Sequence, residues 1–404
     1  MKYKEALAWL YSLQRFGIKL GLENIRRLIA ELEVDLGNAR VVHVAGTNGK
    51  GSVCAIIDSI CRAAKYRTGL FTSPHLVTFR ERIRVNGKMI SEDEVASSLT
   101  SIRELVRDWE PHPTFFEIAT ALALKYFTEQ KIDIVVLETG LGGRLDATNA
   151  AQSNVSVLTP IAFDHEEWLG DSIAKIASEK AGIIKRQTPV VSAPQLSEAE
   201  KVIRARVTEC QAPIELVDQR YTRSPIGLRG DFQKLNAAIA VAAVRAAKID
   251  ISESAIARGL ATVEWPARFQ RWAKRTIIDG AHNPAAAKTL VETWREIFGD
   301  ERATLILAIL SDKDLRRICE ALIPISDFFL LPKIRTERAV NPVALQKVIA
   351  NLGSKSETTA SFADAFGRAR SRPAPILITG SLHFAGEALA HLRGEPAAFE
   401  ECAQ

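Results

Sequence analysis

The stretch VVHVAGTNGKGSV, residues 41–53, joins an apolar run to a glycine-rich turn that contains one lysine. The run is typical of a buried strand, and the segment after the turn, SVCAIIDSICRAAK, has the apolar spacing of a helix. Glycines in such a turn let backbone amides face an anion, the helix adds its positive end, and Lys50 adds a mobile charge. The stretch therefore predicts a phosphate-binding loop. A tight strand-to-helix turn is the alternative, because the spelling departs from G-x-x-x-x-G-K-[ST].

Short apolar runs alternate with helical segments over most of the chain. The runs are RVVHVAG, IDIVVLETG, NVSVLTPI and TPVVSA, then RTIIDG, ATLILAIL, DFFLLP and APILITG. Buried strands between helices indicate an α/β fold with mostly parallel sheets. The alternation restarts after the turn VEWPARF, which indicates a boundary near Pro266. We expect an N-terminal P-loop-type domain over 1–266 and a smaller, Rossmann-like α/β domain over 267–404.

Composition narrows the class of protein. The 404 residues are 47% hydrophobic and 25% charged, and no apolar run is long enough to cross a bilayer. The N-terminus does not resemble a secretory signal, so we expect a cytoplasmic protein. Five cysteines without a C-x-x-C pair argue against a disulfide framework and a zinc site. The net charge of +5 is scattered along the chain, which argues against nucleic acid and suits small anionic substrates.

Several polar residues follow predicted strands, and the carboxyl ends of parallel strands form the usual ligand crevice. Glu138 ends one strand, where a carboxylate either binds magnesium or caps the next helix. His165 follows another strand, although a lone histidine is more often structural. Asp279 and His282 lie in DGAHNP, which is also the pattern of a capped helix start, with Asp279 or Asn283 as the cap.

Basic residues elsewhere have a structural interpretation as well as a functional one. Lys180 lies in the helical segment SIAKIASEKAGIIK, where a lysine is by itself usually solvated. Arg80, Arg82 and Arg84 alternate in FRERIRV and are expected to share one face of an extended segment. That face either contacts an anion or is solvated.

Taken together, eleven segments resemble one family. They are HVAGTNGKGSV, FTSPHL, ERIRVNG, TFFEIATALA, LETGLGGRLDATN, FDHEEWLG, SEKAGIIK, WPARFQ, DGAHNP, SDKD and TGSLHFAGEA. They occur in the order found in the folylpolyglutamate synthase / dihydrofolate synthase family of the Mur ligase superfamily, and the similarity runs from about residue 20 to about residue 390. One segment departs from the pattern, since Phe232 precedes Gln233 where the family usually has histidine.

The resemblance implies an ATP-dependent ligase in which ATP phosphorylates a substrate carboxylate and L-glutamate attacks the acyl phosphate. It implies dihydropteroate and reduced folates as acceptors, Mg²⁺ as the metal, in two copies, and a carbamylated lysine at Lys180. We expect no nucleic-acid or membrane partner. A monomer is expected because one chain supplies both walls of the cleft.

The resemblance also assigns roles to individual positions. The positions matching catalytic residues are Lys50, His165, Lys180 and Arg268. Those matching ATP contacts are Gly46, Thr47, Asn48, Gly49, Lys50, Gly51, Ser52, Asn236, Arg268, Asp279 and His282. Those matching pterin-side substrate contacts are Thr114, Phe115, Phe116, Glu117, Leu145, Asp146 and Ala147. The metal ligands correspond to Ser73, Glu138 and His165.

Two other interpretations remain open from the sequence. One is another Mur-type amide ligase, such as a UDP-muramyl amino-acid ligase. The other is a non-catalytic module whose ATP site drives domain closure without forming a bond. The segments LGGRLDATN and TFFE favour a folate ligase, since a nucleotide-driven switch would need neither.

Overall fold

The computed structural model describes residues 1–16 and 21–400, so the predicted free cysteine at position 402 lies outside the described residues. Cys54, Cys61, Cys210 and Cys319 are buried free thiols, as the sequence predicted. The helices found in the described residues are all too short or too polar to cross a membrane.

The first sheet has eight strands in the described residues, in the order β4-β3-β2-β5-β1-β6-β7-β8. The strands are β1 (Arg40–Ala45), β2 (Thr68–Phe71), β3 (Ile83–Val85), β4 (Lys88–Met89), β5 (Ile134–Glu138), β6 (Val155–Leu158), β7 (Val190–Ser192) and β8 (Ile214–Leu216). Strands β2 to β4 pair antiparallel at one edge, and the remaining pairs are parallel. The sheet is therefore mostly parallel, as predicted.

Helices cover both faces of this sheet. They are α1 (Tyr3–Ser12), α2 (Glu23–Glu31), α3 (Lys50–Ala63), α4 (Glu92–Leu105), α5 (Phe115–Glu129), α6 (Glu166–Leu169), α7 (Ile173–Ala181), α8 (Ser197–Glu209), α9 (Phe232–Ala246) and α10 (Glu253–Thr262). Successive residues of a strand point to opposite faces. Accordingly Val135 and Leu137 pack with α1, α2, α4 and α5, whereas Ile134 and Val136 pack with α3, α9 and α10. Burial on both faces explains why these strands read as continuous apolar runs.

The second sheet has six strands in the described part of the chain, in the order β13-β12-β11-β14-β10-β9. They are β9 (Gln270–Ala273), β10 (Thr276–Ile278), β11 (Ala303–Leu307), β12 (Ser326–Pro332), β13 (Ser356–Thr359) and β14 (Ile376–Thr379). Only the β9–β10 pair among them is antiparallel. The helices around this sheet are α11 (Pro284–Phe298), α12 (Leu315–Leu322), α13 (Pro342–Asn351), α14 (Phe362–Arg370) and α15 (Leu382–Leu392).

A segment that follows β2 packs into the core of the second sheet. Leu76 and Val77 belong to the same buried cluster as Phe384 and Leu389 of α15. Gly386 is required there, because a Cβ atom would lie 1.9 Å from the carbonyl oxygen of Leu76. The two sheets are therefore joined by apolar packing as well as by the connecting chain.

The C-terminal end of the described chain returns to the same segment. The backbone amide of Glu400 donates to the Val77 carbonyl at 2.8 Å, and the Glu400 carboxylate accepts from the Phe79 amide at 2.6 Å. The hydroxyl of Tyr3 in α1 also donates to this carboxylate, at 3.1 Å. Residues from both ends of the sequence thus meet beside Val77.

The segment FRERIRV is not one extended strand, so that prediction was wrong. Residues Phe79–Arg82 form a 3₁₀ turn, closed by a capping box in which Thr78 and Glu81 exchange hydrogen bonds. Arg82 is fully buried and donates from Nε to His75 Nδ1 at 2.9 Å, while Arg84 packs over the ring of Trp265. The three arginines therefore do not share a solvated face.

Candidate functional site

A cleft of about 1860 Å³ opens between the two sheets, and every residue assigned a site role from the sequence lines it. Strand β1 lies between β5 and β6, with Val44 beside Glu138 and Ala45 beside Leu158. The loops that follow these three strands therefore emerge side by side. The topology brings together segments that are up to about a hundred residues apart in sequence.

The glycine-rich turn after β1 has the backbone that its sequence predicts. Gly46 and Gly49 have φ values of 146° and 92°, which disfavour other residues. A Cβ atom on Gly46 would also lie 1.9 Å from Thr159 Oγ1. Helix α3 begins at Lys50, two residues earlier than the apolar pattern suggested. The turn therefore presents a helix N-terminus to the cleft, which is a favourable place for an anion.

Lys50 and Glu138 form the charged centre of this wall. Lys50 Nζ lies over its own loop and donates to the carbonyls of Gly46 at 3.1 Å and Thr47 at 3.2 Å. Burial raises the pKa of Glu138, against the opposing effects of Lys50 and the Ser73 amide. That amide donates to Glu138 Oε2 at 3.2 Å. Glu138 contacts the segment after β2 rather than capping a helix.

The predicted metal ligands have the right chemistry in part. The Ser73 hydroxyl is buried and has no hydrogen-bond partner among the described residues, and the Ser73 amide contacts the Glu138 carboxylate. Hydroxyl and carboxylate oxygens are donors that suit a hard divalent cation. His165 has a left-handed backbone, with φ at 53°, and its ring lies 3.8 Å from Asp164 Oδ1. Burial lowers the pKa of His165, which favours the neutral imidazole that a metal needs.

Lys180 is not a solvated helix lysine. It lies near the end of α7, is 5% exposed and lines the cleft. Burial, with a smaller effect of Lys50, lowers its pKa to about 7. The loop after β5 packs tightly on this end of α7, since a Cβ atom on Gly143 would lie 2.9 Å from the carbonyl oxygen of Lys180. The fold therefore holds an amine in the cleft whose neutral form burial favours.

The pterin-side segments have structural roles of their own. Thr114 and Glu117 close a capping box at the start of α5, with the Thr114 amide 2.8 Å from Glu117 Oε2. Phe115 stacks on Tyr11 with ring centroids 5.7 Å apart. The Asp146 carboxylate accepts from the amides of Gly140, Leu141 and Thr148 at 2.8, 2.9 and 3.0 Å. Leu145, Asp146 and Ala147 are thereby fixed at the edge of the cleft.

The loops before and after β10 provide the opposite wall. The Asp279 carboxylate accepts from the amides of Phe269 at 2.7 Å and Ala281 at 2.8 Å, and burial raises its pKa. Arg268 is half-buried beside it and donates to the Ala267 carbonyl at 3.0 Å. Asn283 caps α11 by accepting from the Ala286 amide, so Asn283 is the cap that the sequence left open.

Helix α9 carries Asn236 to the phosphate-binding turn. Asn236 donates to Gln233 Oε1 at 2.9 Å, and Gln233 donates to the hydroxyl of Ser52 at 3.4 Å. Phe232, which replaces the family's usual histidine, lines the cleft beside them. The glutamine after Phe232 therefore keeps a polar link to the turn.

Comparison with known proteins identifies both halves of the chain. Residues 44–208 match the Mur ligase middle domain, and residues 267–382 match the Mur ligase, glutamate ligase domain. The dihydrofolate synthase/folylpolyglutamate synthase of Escherichia coli is 34% identical, over 93% of this chain and 92% of its own length. The chain belongs to the folylpolyglutamate synthase/dihydrofolate synthase family of Mur ligases. It is therefore an ATP-dependent ligase that forms an amide bond.

Other relatives of this ligase show how far the similarity extends. A probable bifunctional folylpolyglutamate synthase/dihydropteroate synthase of Haloferax volcanii is 35% identical over 96% of this chain, and the chain spans half of that protein's length. The structure of the E. coli enzyme in complex with DHPP and ADP has a TM-score of 0.85 and 32% identity, with 96% and 98% of the two chains covered. The Yersinia pestis enzyme complexed with AMPPNP and Mn ion has a TM-score of 0.87 and 29% identity, with 97% and 98% covered.

The ligase also contains a polar network between its walls that the sequence did not predict. Asp164 is buried and accepts from Lys313 Nζ at 2.7 Å and from Asn283 Nδ2 at 3.1 Å, and His282 Nε2 lies 3.5 Å away. Asn283 also donates to Asn48 Oδ1 at 3.0 Å. Asp164 lies in the motif FDHEEWLG and Lys313 in SDKD, but neither motif indicates that the two side chains are in contact.

Proposed function

We propose that this ligase joins L-glutamate to both dihydropteroate and reduced folates through an acyl phosphate. The observation that carries the proposal is the common cleft, which is lined by the phosphate-binding turn, by Lys180 and Arg268, and by both pterin-side segments. The E. coli relative is named for both synthase activities, which supports the dual choice of acceptor. The structure of the E. coli enzyme in complex with DHPP and ADP supports the binding of a nucleotide and a second small molecule by the same protein.

The proposed reaction has two steps. A carboxylate oxygen of the acceptor forms a bond to the terminal phosphorus of ATP while the bond to the ADP oxygen breaks. The amine of glutamate then attacks the acyl carbon, phosphate leaves and the nitrogen loses a proton. Phosphorylation turns a poor electrophile into one with a good leaving group, and closely placed cations stabilise the negative charge that accumulates.

The proposed roles follow from position. Lys50 and the α3 N-terminus bind the terminal phosphates, and Arg268 neutralises charge on the transferring phosphoryl group. The nucleotide contacts are residues 46–52 with Asn236, Arg268, Asp279 and His282. The acceptor contacts are Thr114, Phe115, Phe116 and Glu117, with Leu145, Asp146 and Ala147.

Ser73, Glu138 and His165 would hold Mg²⁺, and a second Mg²⁺ would bind with the phosphates. The buried oxygen donors of Ser73 and Glu138 support this assignment. When bound, a divalent cation offsets negative charge on the phosphoryl oxygens. This chain's own part is to keep Glu138 ionised, which the neighbouring Lys50 and Arg268 favour against burial.

Lys180 is proposed to act as a carbamate. Its neutral amine nitrogen would form a bond to the carbon of CO₂, one carbonyl π bond would open to an oxygen anion, and a proton would leave to solvent. Burial supports this step, because it favours the neutral amine. The product is an anion near the metal site, where an ammonium would be repelled.

We propose two domains, 1–266 and 267–404, in a cytoplasmic monomer that has no nucleic-acid or membrane partner. The first sheet and the helices packed on it end at Thr262, and the second sheet begins at Gln270, which supports the boundary. Because both walls of the cleft come from one chain, a second copy is not required for the reaction.

The test is ADP release by the purified protein with ATP, Mg²⁺ and L-glutamate. We expect release with dihydropteroate and also with tetrahydrofolate, and none without an acceptor. Release with a UDP-muramyl substrate instead would identify another Mur-type ligase. ADP release at the same rate with and without every acceptor would favour an ATP-responsive module. Activity on dihydropteroate without activity on tetrahydrofolate would reduce the proposal to a single-reaction dihydrofolate synthase.

A further inference from the structure

A separate cavity of about 600 Å³ lies behind the loop that follows β5. Among the described residues, five basic side chains and one carboxylate line it. The basic ones are Arg26, Arg144, Lys185, Arg186 and Arg206, and the carboxylate is Glu209. We call this the basic cavity. Such a concentration of positive charge in a concave surface attracts anions.

The positive charge of the basic cavity is only partly neutralised. Arg144 pairs with Glu179 at 2.9 Å, and Arg206 pairs with Glu209 at 2.7 Å. Within the described chain, no carboxylate lies within ion-pair distance of the other three cations. Of these three cations, Lys185 is half-buried between the arginines, and its amine donates to the Asn149 carbonyl at 2.7 Å. The cavity therefore has an excess of cations.

Two observations besides the charge point to a ligand. The Nε atom of Arg206, a hydrogen-bond donor, is buried and has no hydrogen-bond partner in the described residues. Burial, with the charges of Arg26 and Arg206, lowers the pKa of Lys185 to about 8. An unpaired buried donor and a destabilised ammonium are both costly, and an anion would relieve both.

The basic cavity and the ligase cleft share one layer of chain. Arg144 and Asn149 line the basic cavity, while Leu145 and Asp146 between them line the cleft. Similarly, Gly21 lines the cleft, and its neighbour Leu22 lines the basic cavity. The shared loop is held against the end of α7, where a Cβ atom on Gly182 would lie 2.3 Å from Arg144 Cβ. The cavity thus lies next to the pterin side of the cleft.

We propose that the basic cavity binds the α-carboxylates of an oligo-γ-glutamyl tail on an acceptor that already carries several glutamates. The proposal rests on the proposed function, because that function makes such acceptors. Each added glutamate brings one more carboxylate, so a growing tail becomes a better match for a set of cations. Dihydropteroate has no such tail and does not use the cavity.

The test uses a double variant, Arg26→Gln with Arg186→Gln, because both side chains are exposed and neither forms an ion pair in the described chain. The control is Arg302→Gln with Arg370→Gln, which removes the same charge from exposed positions outside either cavity. KM is measured for dihydropteroate and for tetrahydrofolates with one, three and five glutamates. We expect KM of the test variant to rise roughly tenfold for the longer tails. KM for dihydropteroate should match that of the control.

Equal KM values for test and control variants at every tail length would overturn the inference. A protein that uses no folate at all would instead refute the proposed function, and a binding measurement then decides on the cavity. Calorimetry with tri-γ-glutamate should show binding to the wild type that the test variant loses and the control keeps. Binding of inorganic phosphate without binding of tri-γ-glutamate would show a simple phosphate site and would overturn the tail assignment.

Discussion

The two walls of the cleft use buried charge differently. On the first wall, Glu138 accepts one backbone amide and Lys180 has no hydrogen bond from its amine in the described chain, and burial shifts the pKa of both. On the second wall, Asp279 accepts the amides of Phe269 and Ala281, and Lys313 is paired across the cleft with Asp164. Burial also raises the pKa of Asp279, so the difference between the walls lies in hydrogen bonding: the named groups of the first wall are held by fewer hydrogen bonds than those of the second.

The largest effect should come from removing the least satisfied group of the first wall. We expect Lys180→Ala to lower kcat by on the order of 10³-fold, because the variant lacks the amine proposed to carry the carbamate. Lys175→Ala on the same helix is the control, since Lys175 is 64% exposed, and it should leave kcat unchanged. ADP release measures both. Normal turnover by folded Lys180→Ala protein would make Lys180 a structural residue.

Arg268 tests whether the second wall also takes part in the chemistry. We expect Arg268→Ala to lower kcat by roughly 10²-fold, because it removes a cation next to Glu138 and Asp279. Arg271→Ala, at an exposed position in β9, is the matched control. Steady-state ADP release gives kcat and KM separately. If only KM rises, Arg268 contributes to substrate binding alone, and the second wall takes no part in the chemical step.

A third effect concerns stability, rather than turnover, and its dependence on pH. The folded pKa of Lys180, about 7, lies below its ordinary value of 10.5, so folding expels a proton between these values. The resulting destabilisation is complete below pH 7 and disappears as the pH approaches 10.5. Lys180→Met should therefore raise the free energy of unfolding at pH 6, by roughly 5 kcal/mol at most, and give no gain near pH 10.5.

Urea unfolding in CO₂-free buffers at several pH values measures this difference. Lys175→Met serves as the exposed control and should show no dependence of this kind. A gain from Lys180→Met that is constant with pH would mean that better apolar packing, rather than a buried ammonium, is responsible. In that case the contrast between the two walls would weaken.

The sequence predicted most of the strands that are buried on both faces, because burial makes them continuous apolar runs. It missed β2, which is buried but short (TGLF), the polar β13 (SETT), and the short or exposed strands β4, β8 and β9. These strands depend on pairing with neighbours, and no local pattern records that pairing. The turn beginning at Phe79 was missed for a related reason, since the burial of Arg82 requires His75 as its partner.

The candidate site was predictable where one segment carries a function by itself. The glycine-rich turn after β1 is such a segment, because its glycines, lysine and helix are contiguous, and its backbone geometry follows the prediction. The network around Asp164 was not predictable, since Asn283 is 119 residues and Lys313 is 149 residues away in sequence. The burial of Lys180 was likewise hidden, because it depends on how the loop after β5 closes over α7.

The insertion of Leu76 and Val77 into the second core changes what the connecting chain has to do. Together with the bonds from Glu400 to Val77 and Phe79, it gives the two halves a non-covalent attachment far from Pro266 in sequence. A protease cut near Pro266 would leave the halves bound to each other. Fragments 1–266 and 267–404 produced together should therefore reassemble without the covalent link between them.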